Sequence, residues 1–81
     1  MNYSFLDRFK SQLIILPKEI QKKFNKQFNF LLNDLRHPSL CAKKYGGTDD
    51  VWQARVDNDY RFYFKIKGGT YFFVSIEKHP K

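Results

Sequence analysis

Residues 51–64 read VWQARVDNDYRFYF, and apolar and polar side chains alternate in the two halves of this run. A period of two is typical of β-strands, because successive side chains of a strand point to opposite faces of its sheet. Asp57, Asn58 and Asp59 separate the halves, and such residues favour turns because their side chains hydrogen-bond to nearby backbone. The run therefore predicts an antiparallel hairpin.

A third alternating segment follows residues 67–70, where two adjacent glycines predict a tight turn. Before residue 38, apolar residues instead recur every three or four positions, as in amphipathic helices, and Pro17 separates two such stretches. Their apolar residues are Phe5, Phe9 and Leu13, then Ile20, Phe24, Phe28, Leu31 and Leu35. A short strand is expected around residues 40–45. The predicted fold class is α+β, with two N-terminal helices packed on one face of a small curved antiparallel sheet of three to four strands.

The chain has 81 residues, with 15 Lys and Arg against 8 Asp and Glu, and its length predicts one domain spanning residues 1–81. A formal net charge of +7 attracts polyanions, so nucleic acid is the first candidate partner and an acidic protein surface the second. Cys41 is the only cysteine, which excludes an internal disulfide and fits a reducing cytoplasm. The longest aliphatic run, residues 13–16, is too short to span a membrane, and residues 1–4 do not indicate a secretion signal.

The alternation also assigns side chains to the two faces of the predicted sheet. Even-numbered positions of the three strands are almost all apolar and are expected to lie under the helices. The odd-numbered positions form the opposite face: Gln53, Arg55, Arg61, Tyr63, Lys65, Tyr71, Phe73, Ser75, Glu77 and His79. Guanidinium groups bind phosphates and aromatic rings stack on bases, so this face suits single-stranded RNA. The alternative is a basic solvent-exposed face whose aromatic side chains pair across strands for stability.

Four segments of the chain occur in an order and at spacings that resemble a known protein family. They are residues 43–47 (KKYGG), 51–56 (VWQARV), 60–64 (YRFYF) and 76–79 (IEKH). From about Phe5 onward, the chain resembles the RelE/ParE superfamily of toxins from bacterial type II toxin-antitoxin systems. In the RelE-like, YoeB-like and YafQ-like branches, the resemblance implies a ribosome-dependent mRNA endonuclease. A ribose 2′-hydroxyl then attacks the adjacent phosphate, with no metal ion or other cofactor.

The resemblance also implies roles for individual residues. Arg61 matches the arginine that lies against the scissile phosphate, Arg55 matches a basic residue one strand away, and His79 resembles the C-terminal general acid or base. Arginine suits phosphate binding because its guanidinium forms two parallel hydrogen bonds to phosphate oxygens. Histidine suits the acid or base role because imidazole exchanges protons near neutral pH. The residues that we expect to contact RNA are Lys43, Lys44, Tyr63, Lys65, Tyr71, Phe73 and Lys81. The alternatives are an ion pair of Arg61 with Glu77 or Asp57, and a solvated chain end at His79.

Two partners are implied by the resemblance: a cognate antitoxin protein, and mRNA on the ribosome, where contacts with 16S rRNA are also expected. The sequence departs from the family pattern in three places. Residues 38–40 contain no carboxylate where YoeB-like members have a glutamate, and Pro80 replaces the aromatic residue that follows their terminal histidine. Residues 1–4 leave room only for a stub of the usual N-terminal strand, which would leave a sheet edge open to an antitoxin segment.

Two other functions remain open from the sequence. A ParE-like toxin would inhibit DNA gyrase without nuclease chemistry, and a degenerate toxin would only bind its antitoxin. Metal-dependent catalysis is not indicated, since neither His37 nor His79 belongs to a cluster with the spacing of metal ligands.

Overall fold

The structure of the protein is a computed structural model that describes residues 2–45 and 50–79. Within these residues, two α-helices, a short 3-10 helix and five strands follow one another along the chain. They are β1 (Asn2–Phe5), α1 (Asp7–Ile14), α2 (Lys18–Asn33), the 3-10 helix (Pro38–Leu40), β2 (Lys43–Lys44), β3 (Val51–Arg55), β4 (Tyr60–Lys67) and β5 (Thr70–Lys78). The α+β class is confirmed, and the sheet has more strands than the three to four predicted.

The sheet is mixed, with the strand order β1-β5-β4-β3-β2. β1 runs parallel to β5, and the other neighbouring strands are antiparallel. The turns predicted between β3 and β4 and between β4 and β5 are both present. In the second turn, Gly68 and Gly69 have φ values of +56° and +75°, in the left-handed region that glycine adopts without a steric penalty.

The two helices are separated by Pro17, as the sequence predicts, and α2 begins at the next residue. The buried side chains of α2 are spaced by three or four positions: Ile20, Phe24, Gln27 and Leu31. Lysines occupy its exposed side, at positions 18, 22, 23 and 26. Across the part of the chain that the structure describes, no helix is long and apolar enough to cross a membrane.

The hydrophobic core consists largely of phenylalanine rings between the helices and the sheet. Phe9 of α1 and Phe24 of α2 are buried, and their ring centroids lie 5.5 and 6.1 Å from that of Phe73 in β5. Phe24 also meets Phe62 of β4 edge-on at 5.2 Å. Both helices therefore pack on the same face of the sheet. Large rings bury much apolar area per residue, which helps a chain too short for an extensive core.

A β-bulge shifts the register of β5 against β4, so β5 does not alternate regularly along its whole length. Tyr63 of β4 pairs with Ser75, but the next residue, Phe64, pairs with Phe73. Val74 is therefore the extra residue on β5. On the N-terminal side of the bulge, the odd-numbered side chains of β5 face the helices.

The bulge overturns part of the predicted assignment of faces. Tyr71 and Phe73 are 2% and 0% exposed, and both pack against Phe64 in the core. Phe72 and Val74 lie on the opposite face, beside the lysines of β4. The prediction that Tyr71 and Phe73 lie on an exposed RNA-contacting surface is wrong, because one inserted residue inverts the facing of the residues beyond it.

The N-terminal strand is a complete element rather than a stub. Asn2–Phe5 pairs in parallel with residues 70–73 of β5. The N–H of Leu6 extends the ladder by donating to the Phe73 carbonyl at 3.1 Å. Phe5 follows the predicted helical spacing but lies in this strand, where its ring packs into the core at 4.9 Å from that of Phe73.

The part of the β5 edge that β1 leaves uncovered is closed by α1. The side-chain Oε1 of Gln12 accepts a hydrogen bond from the Ile76 N–H at 3.0 Å. This bond satisfies a strand N–H that would otherwise be available for pairing with another chain. The open edge predicted for an antitoxin segment is therefore absent along β5, since β1 and α1 cover it.

A buried glutamine joins α2 to β3 and to the 3-10 helix. Gln27 is 5% exposed, and its Nε2 donates to the carbonyls of Ser39 and Arg55, each at 2.9 Å. Its Oε1 accepts a hydrogen bond from the Ser39 hydroxyl at 2.9 Å, so both polar atoms are paired. Gln27 thereby fixes the backbone of Arg55, a predicted site residue, from the helix side of the sheet.

Gln27→Leu is expected to lower the free energy of unfolding by about 1–3 kcal/mol, since it leaves two partly buried carbonyls without a donor. Equilibrium urea denaturation measures this change. Lys22→Leu, at an exposed position of the same helix, is the control and is expected to change the free energy by less than about 0.5 kcal/mol. Equal effects of the two substitutions would contradict the role given to Gln27.

Candidate nucleic-acid interface

The open face is the face of the sheet turned away from the helices, and strand register arranges its side chains in rows across the sheet. In the row that we call the arginine row, Arg55 of β3 lies opposite Arg61 of β4, which in turn lies opposite Glu77 of β5. In the neighbouring row, Gln53 of β3 lies opposite Tyr63 of β4. The two arginines that the sequence assigns to phosphate binding are therefore direct cross-strand neighbours.

The turn between β3 and β4 holds both guanidinium groups. Arg61 Nη1 donates to the carbonyls of Asp57 and Tyr60, at 2.5 and 3.0 Å. Arg55 Nη2 donates to the side-chain Oδ1 of Asn58. These bonds restrict the arginines before any ligand binds and so reduce the entropy lost on binding.

The ion pairs proposed as an alternative role for Arg61 are not formed. Among the described residues, no carboxylate oxygen lies within 4.0 Å of the guanidinium of Arg55 or Arg61. Like charges placed directly opposite each other on neighbouring strands repel. An anion bound between the two guanidinium groups would remove this repulsion, and phosphate matches their fork geometry.

His79 lies at the same end of the open face. Its N–H donates to the Asp59 carbonyl at 2.6 Å, which continues the pairing of β5 with β4 by one residue. Because Arg61 lies opposite Glu77, His79 is the diagonal neighbour of Arg61, at a Cα separation of about 7–8 Å. His79 is half-buried, not a solvated chain end, and its Nδ1 is buried with no hydrogen-bond partner among the described residues.

The same turn therefore positions all three predicted catalytic residues. Residues 57–59 supply the Asp57 carbonyl to Arg61, the Asn58 side chain to Arg55 and the Asp59 carbonyl to the backbone of His79.

Asp57 stabilises this turn through its own carboxylate. Its Oδ1 accepts hydrogen bonds from the N–H groups of Asp59 and Tyr60, each at 2.8 Å, and its Oδ2 lies 3.2 Å from Lys23 Nζ. Burial raises the pKa of the Asp57 carboxyl, but these N–H groups and the Lys23 ammonium lower it by more. The pKa of Asp57 therefore lies below its ordinary value of 3.8.

Asp57→Asn is expected to make the protein less stable at neutral pH, with an effect that diminishes in acid. The carboxylate form is favoured by folding, so its contribution is complete above about pH 4 and is lost as the pH falls through the lowered pKa. Urea unfolding of the wild type and the variant, from about pH 7 to about pH 2.5, measures the difference between their free energies of unfolding. Titratable groups that both proteins share contribute little to this difference. A difference that stays constant in acid would contradict this role of Asp57.

Solved toxin structures resemble this fold over nearly the whole chain. A YoeB/ParE toxin from Agrobacterium tumefaciens superposes with a TM-score of 0.84 at 12% sequence identity, over 99% of this chain and 100% of that one. A chain of the E. coli DinJ-YafQ complex gives a TM-score of 0.80 at 13% identity, over 96% and 92% of the two chains. A chain of the RelB-RelE antitoxin-toxin complex of Methanococcus jannaschii gives 0.76 at 22% identity, over 91% and 87%.

This chain has the RelE toxin fold. The fold that the resemblance implies is therefore confirmed. No family model and no curated protein sequence matches the chain. The shared feature is thus the three-dimensional arrangement, at sequence identities too low to carry over individual residues.

The lysines predicted to contact RNA lie at separate places on the RelE fold. Lys43 pairs with Gln53 and lies in register with the open face, whereas Lys44 pairs with Trp52 and belongs to the opposite side. Lys44 also lies 3.9 Å from the Asp50 carboxylate. Lys65 is exposed on β4. Lys81 lies outside the described residues.

The structure adds aromatic and carboxylate groups that the sequence does not assign to the site. Glu77 lies in the arginine row, although the sequence suggests it only as an ion-pair partner of Arg61. Tyr45, just after β2, makes an edge contact with Tyr63, with ring centroids 5.1 Å apart. Strand parity places Glu77 on the open face. The contact of Tyr45 with Tyr63 depends on the register of β2 against β3, which parity does not give.

An apolar groove of about 320 Å³ lies on the open face, towards the turn between β4 and β5. It is lined by Leu6, Lys65, Lys67, Phe72 and Val74. Two residues that the predicted parity places under the helices thus line this groove. Among the described residues, no three His, Cys, Asp or Glu side chains lie close enough together to hold a metal ion.

Proposed function

We propose that the chain is the toxin of a type II toxin-antitoxin module and acts as a metal-independent, ribosome-dependent mRNA endoribonuclease. The observation that supports this most is the turn at residues 57–59, which holds Arg55, Arg61 and His79 together on a RelE toxin fold. Strand register brings two arginines, a histidine and a glutamate to one end of the sheet. Guanidinium groups can stabilise the charge on a reacting phosphate, and imidazole and carboxylate groups can transfer protons.

Each group has a role in the proposed reaction. Arg55 and Arg61 bind the non-bridging oxygens of the scissile phosphate and stabilise the charge that develops on them. Glu77 accepts the proton of the ribose 2′-hydroxyl while the 2′-oxygen forms its bond to phosphorus. His79 donates a proton to the 5′-oxygen while the bond from phosphorus to that oxygen breaks. The products are a cyclic phosphate and a free 5′-hydroxyl.

We propose Glu77 as the general base, the group whose identity the sequence leaves open in this mechanism. Residues 38–40 provide no carboxylate, and the general base is therefore missing where YoeB-like toxins have it. Glu77 is exposed and reaches the open face from β5, in the same row as both arginines. We assign the role of general base to Glu77 on this placement.

The proposed partners follow from the charge of the chain and from the relatives. The Methanococcus jannaschii structure is an antitoxin-toxin complex, and a cognate antitoxin is the partner proposed for this chain. With a formal net charge of +7, the chain favours an acidic protein segment and the phosphates of mRNA and 16S rRNA. Lys43, in register with the open face, is proposed to contact the RNA backbone, whereas Lys44 belongs to the opposite side of the sheet and has no part in this contact.

Induced expression of the chain tests the proposal. The mRNA pool is mapped at its 5′ ends after induction, together with the rate of protein synthesis, for the wild type and for an Arg55→Ala/Arg61→Ala double variant. The expected result for the wild type is new mRNA ends that depend on translation, followed by a stop in protein synthesis. The double variant is expected to produce neither effect.

A gyrase assay with the purified chain separates the alternatives. Inhibition of DNA supercoiling with intact mRNA would contradict the nuclease proposal and identify a ParE-like inhibitor. Antitoxin binding without either activity would also contradict it and indicate a degenerate toxin.

A further inference from the structure

Tyr45, just after β2, and Tyr63 of β4 form an aromatic corner on the open face. The rings of Tyr45 and Tyr63 are 5.1 Å apart between centroids, and their planes make an angle of 67°. The N–H of Tyr45 donates to the Val51 carbonyl at 2.8 Å, which fixes the backbone of Tyr45 against β3. Gln53, which lies between these strands in the sheet, is only 8% exposed, as expected if the rings cover this part of β3.

The aromatic corner adjoins the arginine row. Tyr63 is two residues from Arg61 along β4, which corresponds to about 6.8 Å on the same face. Burial raises the pKa of Tyr63, and the neighbouring Tyr45 and Glu77 raise it further, against the opposing effect of Arg61. The Tyr63 hydroxyl therefore stays protonated at neutral pH and can both donate and accept hydrogen bonds.

Tyr45 stays exposed although it contacts Tyr63, its ring partner among the described residues. The residue is 52% exposed, so it remains open to solvent beside the edge contact with Tyr63. A structural aromatic pair gains most from burial, and this pair leaves half of one ring unburied. An exposed planar ring on a basic surface suits base stacking, because every base has a π-face.

We infer that Tyr45 and Tyr63 form a binding site for one nucleobase, next to the phosphate held by Arg55 and Arg61. The base stacks on the exposed ring of Tyr45, and its edge faces the Tyr63 hydroxyl. The inference rests on the proposed function for the identity of the ligand as single-stranded RNA. It adds a residue, Tyr45, that orients the nucleotide while the arginines bind its phosphate.

Binding of two short fluorescent oligoribonucleotides tests the inference. One has a mixed sequence, and the other has the same length but lacks bases. Tyr45→Ala is expected to weaken binding of the first by about 5- to 150-fold, the range that stacking of one base gives, and to leave binding of the second unchanged. Tyr45→Phe keeps the ring and is expected to bind both oligoribonucleotides like the wild type.

Tyr3→Ala is the matched control. Tyr3 is 51% exposed, but it packs edge-on against Phe28 of α2, on the helix side of the sheet. Its replacement is expected to change neither affinity. Arg61→Ala, in contrast, is expected to weaken both oligoribonucleotides equally, because it removes a phosphate contact.

Three outcomes would overturn the nucleobase site. In the first, Tyr45→Ala weakens the binding of both oligoribonucleotides equally. In the second, it weakens the binding of neither. In the third, RNA binding is unchanged but antitoxin binding is lost, which would make the aromatic corner a protein contact. The result is separable from the nuclease proposal. A chain that shows the base-dependent loss but does not cleave mRNA supports the site and contradicts only the activity.

Discussion

Phe73→Ala is expected to lower the free energy of unfolding by about 3–5 kcal/mol, the range found for large aromatic residues replaced in protein cores. Phe73 is fully buried and lies among the rings of Phe5, Phe28 and other core residues, at 4.9 and 5.5 Å between centroids. A domain of this size is stable by roughly 4–12 kcal/mol in total. The variant is therefore expected to be largely unfolded at moderate urea concentrations that leave the wild type folded.

Phe72→Ala is the matched control for this prediction, since it makes the same chemical change one residue away. Phe72 lies on the open face in the groove with Leu6 and Val74 and is only partly buried. Its replacement is expected to cost less than about half as much as that of Phe73. Urea unfolding of the two variants decides between the observed register and a regular strand. A larger loss for Phe72→Ala would mean that β5 alternates without a bulge.

The elements that sequence reasoning predicts correctly are those with local signals. The turn at residues 57–59 depends on adjacent Asp and Asn side chains that bond to nearby backbone, and the glycine turn depends on two residues that tolerate positive φ. The second helix follows from a stripe within one segment. In each case the information that determines the structure lies within a few residues of the element.

The bulge could not be predicted in this way. Residues 71–74 read YFFV, and four large apolar side chains in succession give no polar residue to mark the face exposed to solvent. The pattern fits equally well whether the odd-numbered or the even-numbered residues face the helices. The choice is made by packing against the helices, where Phe73 fills the space between Phe9 and Phe24. Tertiary packing thus determines which residues of β5 reach the open face.

β1 shows a related limit of sequence analysis. Phe5 is four residues before Phe9, so its position fits a helical stripe as well as a strand. The strand forms because its backbone pairs with residues 70–73, far away in the chain, and because Phe5 enters the core from the sheet. A pairing between the two ends of a chain leaves no periodic signal at either end.

Sequence analysis could predict the part of the candidate site that the turn at residues 57–59 determines. Arg55 and Arg61 are equally far from the centre of the turn at residues 57–59, so a regular hairpin places them opposite each other. Tyr45 reaches Tyr63 across β3, which depends on the register of β2. That register does not follow from the alternation of side chains.

The placement of Arg55 opposite Arg61 costs sheet stability, and the proposed phosphate binding would account for this cost. Two like charges directly opposite each other on a sheet destabilise it, by an amount on the order of 0.2–1 kcal/mol. No carboxylate among the described residues compensates them within 4.0 Å. Glu77 lies opposite Arg61 on the other side of the row, but β3 presents a second arginine where an opposite charge would stabilise the sheet. A phosphate bound between the two guanidinium groups, as we propose, would relieve this repulsion and so favour the bound state over the free one.

Arg61→Ala is expected to reduce the rate of mRNA cleavage on the ribosome by about 10²–10³-fold, the effect of removing one group that stabilises transition-state charge. The loss is expected mainly in the rate of the bound complex, since the charge on the phosphate grows during the reaction. Single-turnover cleavage of a defined mRNA on purified ribosomes measures it. Arg61→Lys is expected to recover only part of the rate, because lysine keeps the charge without the bidentate geometry.

Arg8→Ala is the control for this experiment, because it removes the same charge from an exposed position on α1, away from the open face. Weaker attraction to the ribosome would affect both variants equally, whereas a loss of phosphate stabilisation would affect only the Arg61 variant. Urea unfolding of the Arg61 variant separates a loss of catalysis from a loss of folding. Cleavage by Arg61→Ala within a few-fold of the Arg8→Ala rate would show that the arginine row does not perform the reaction.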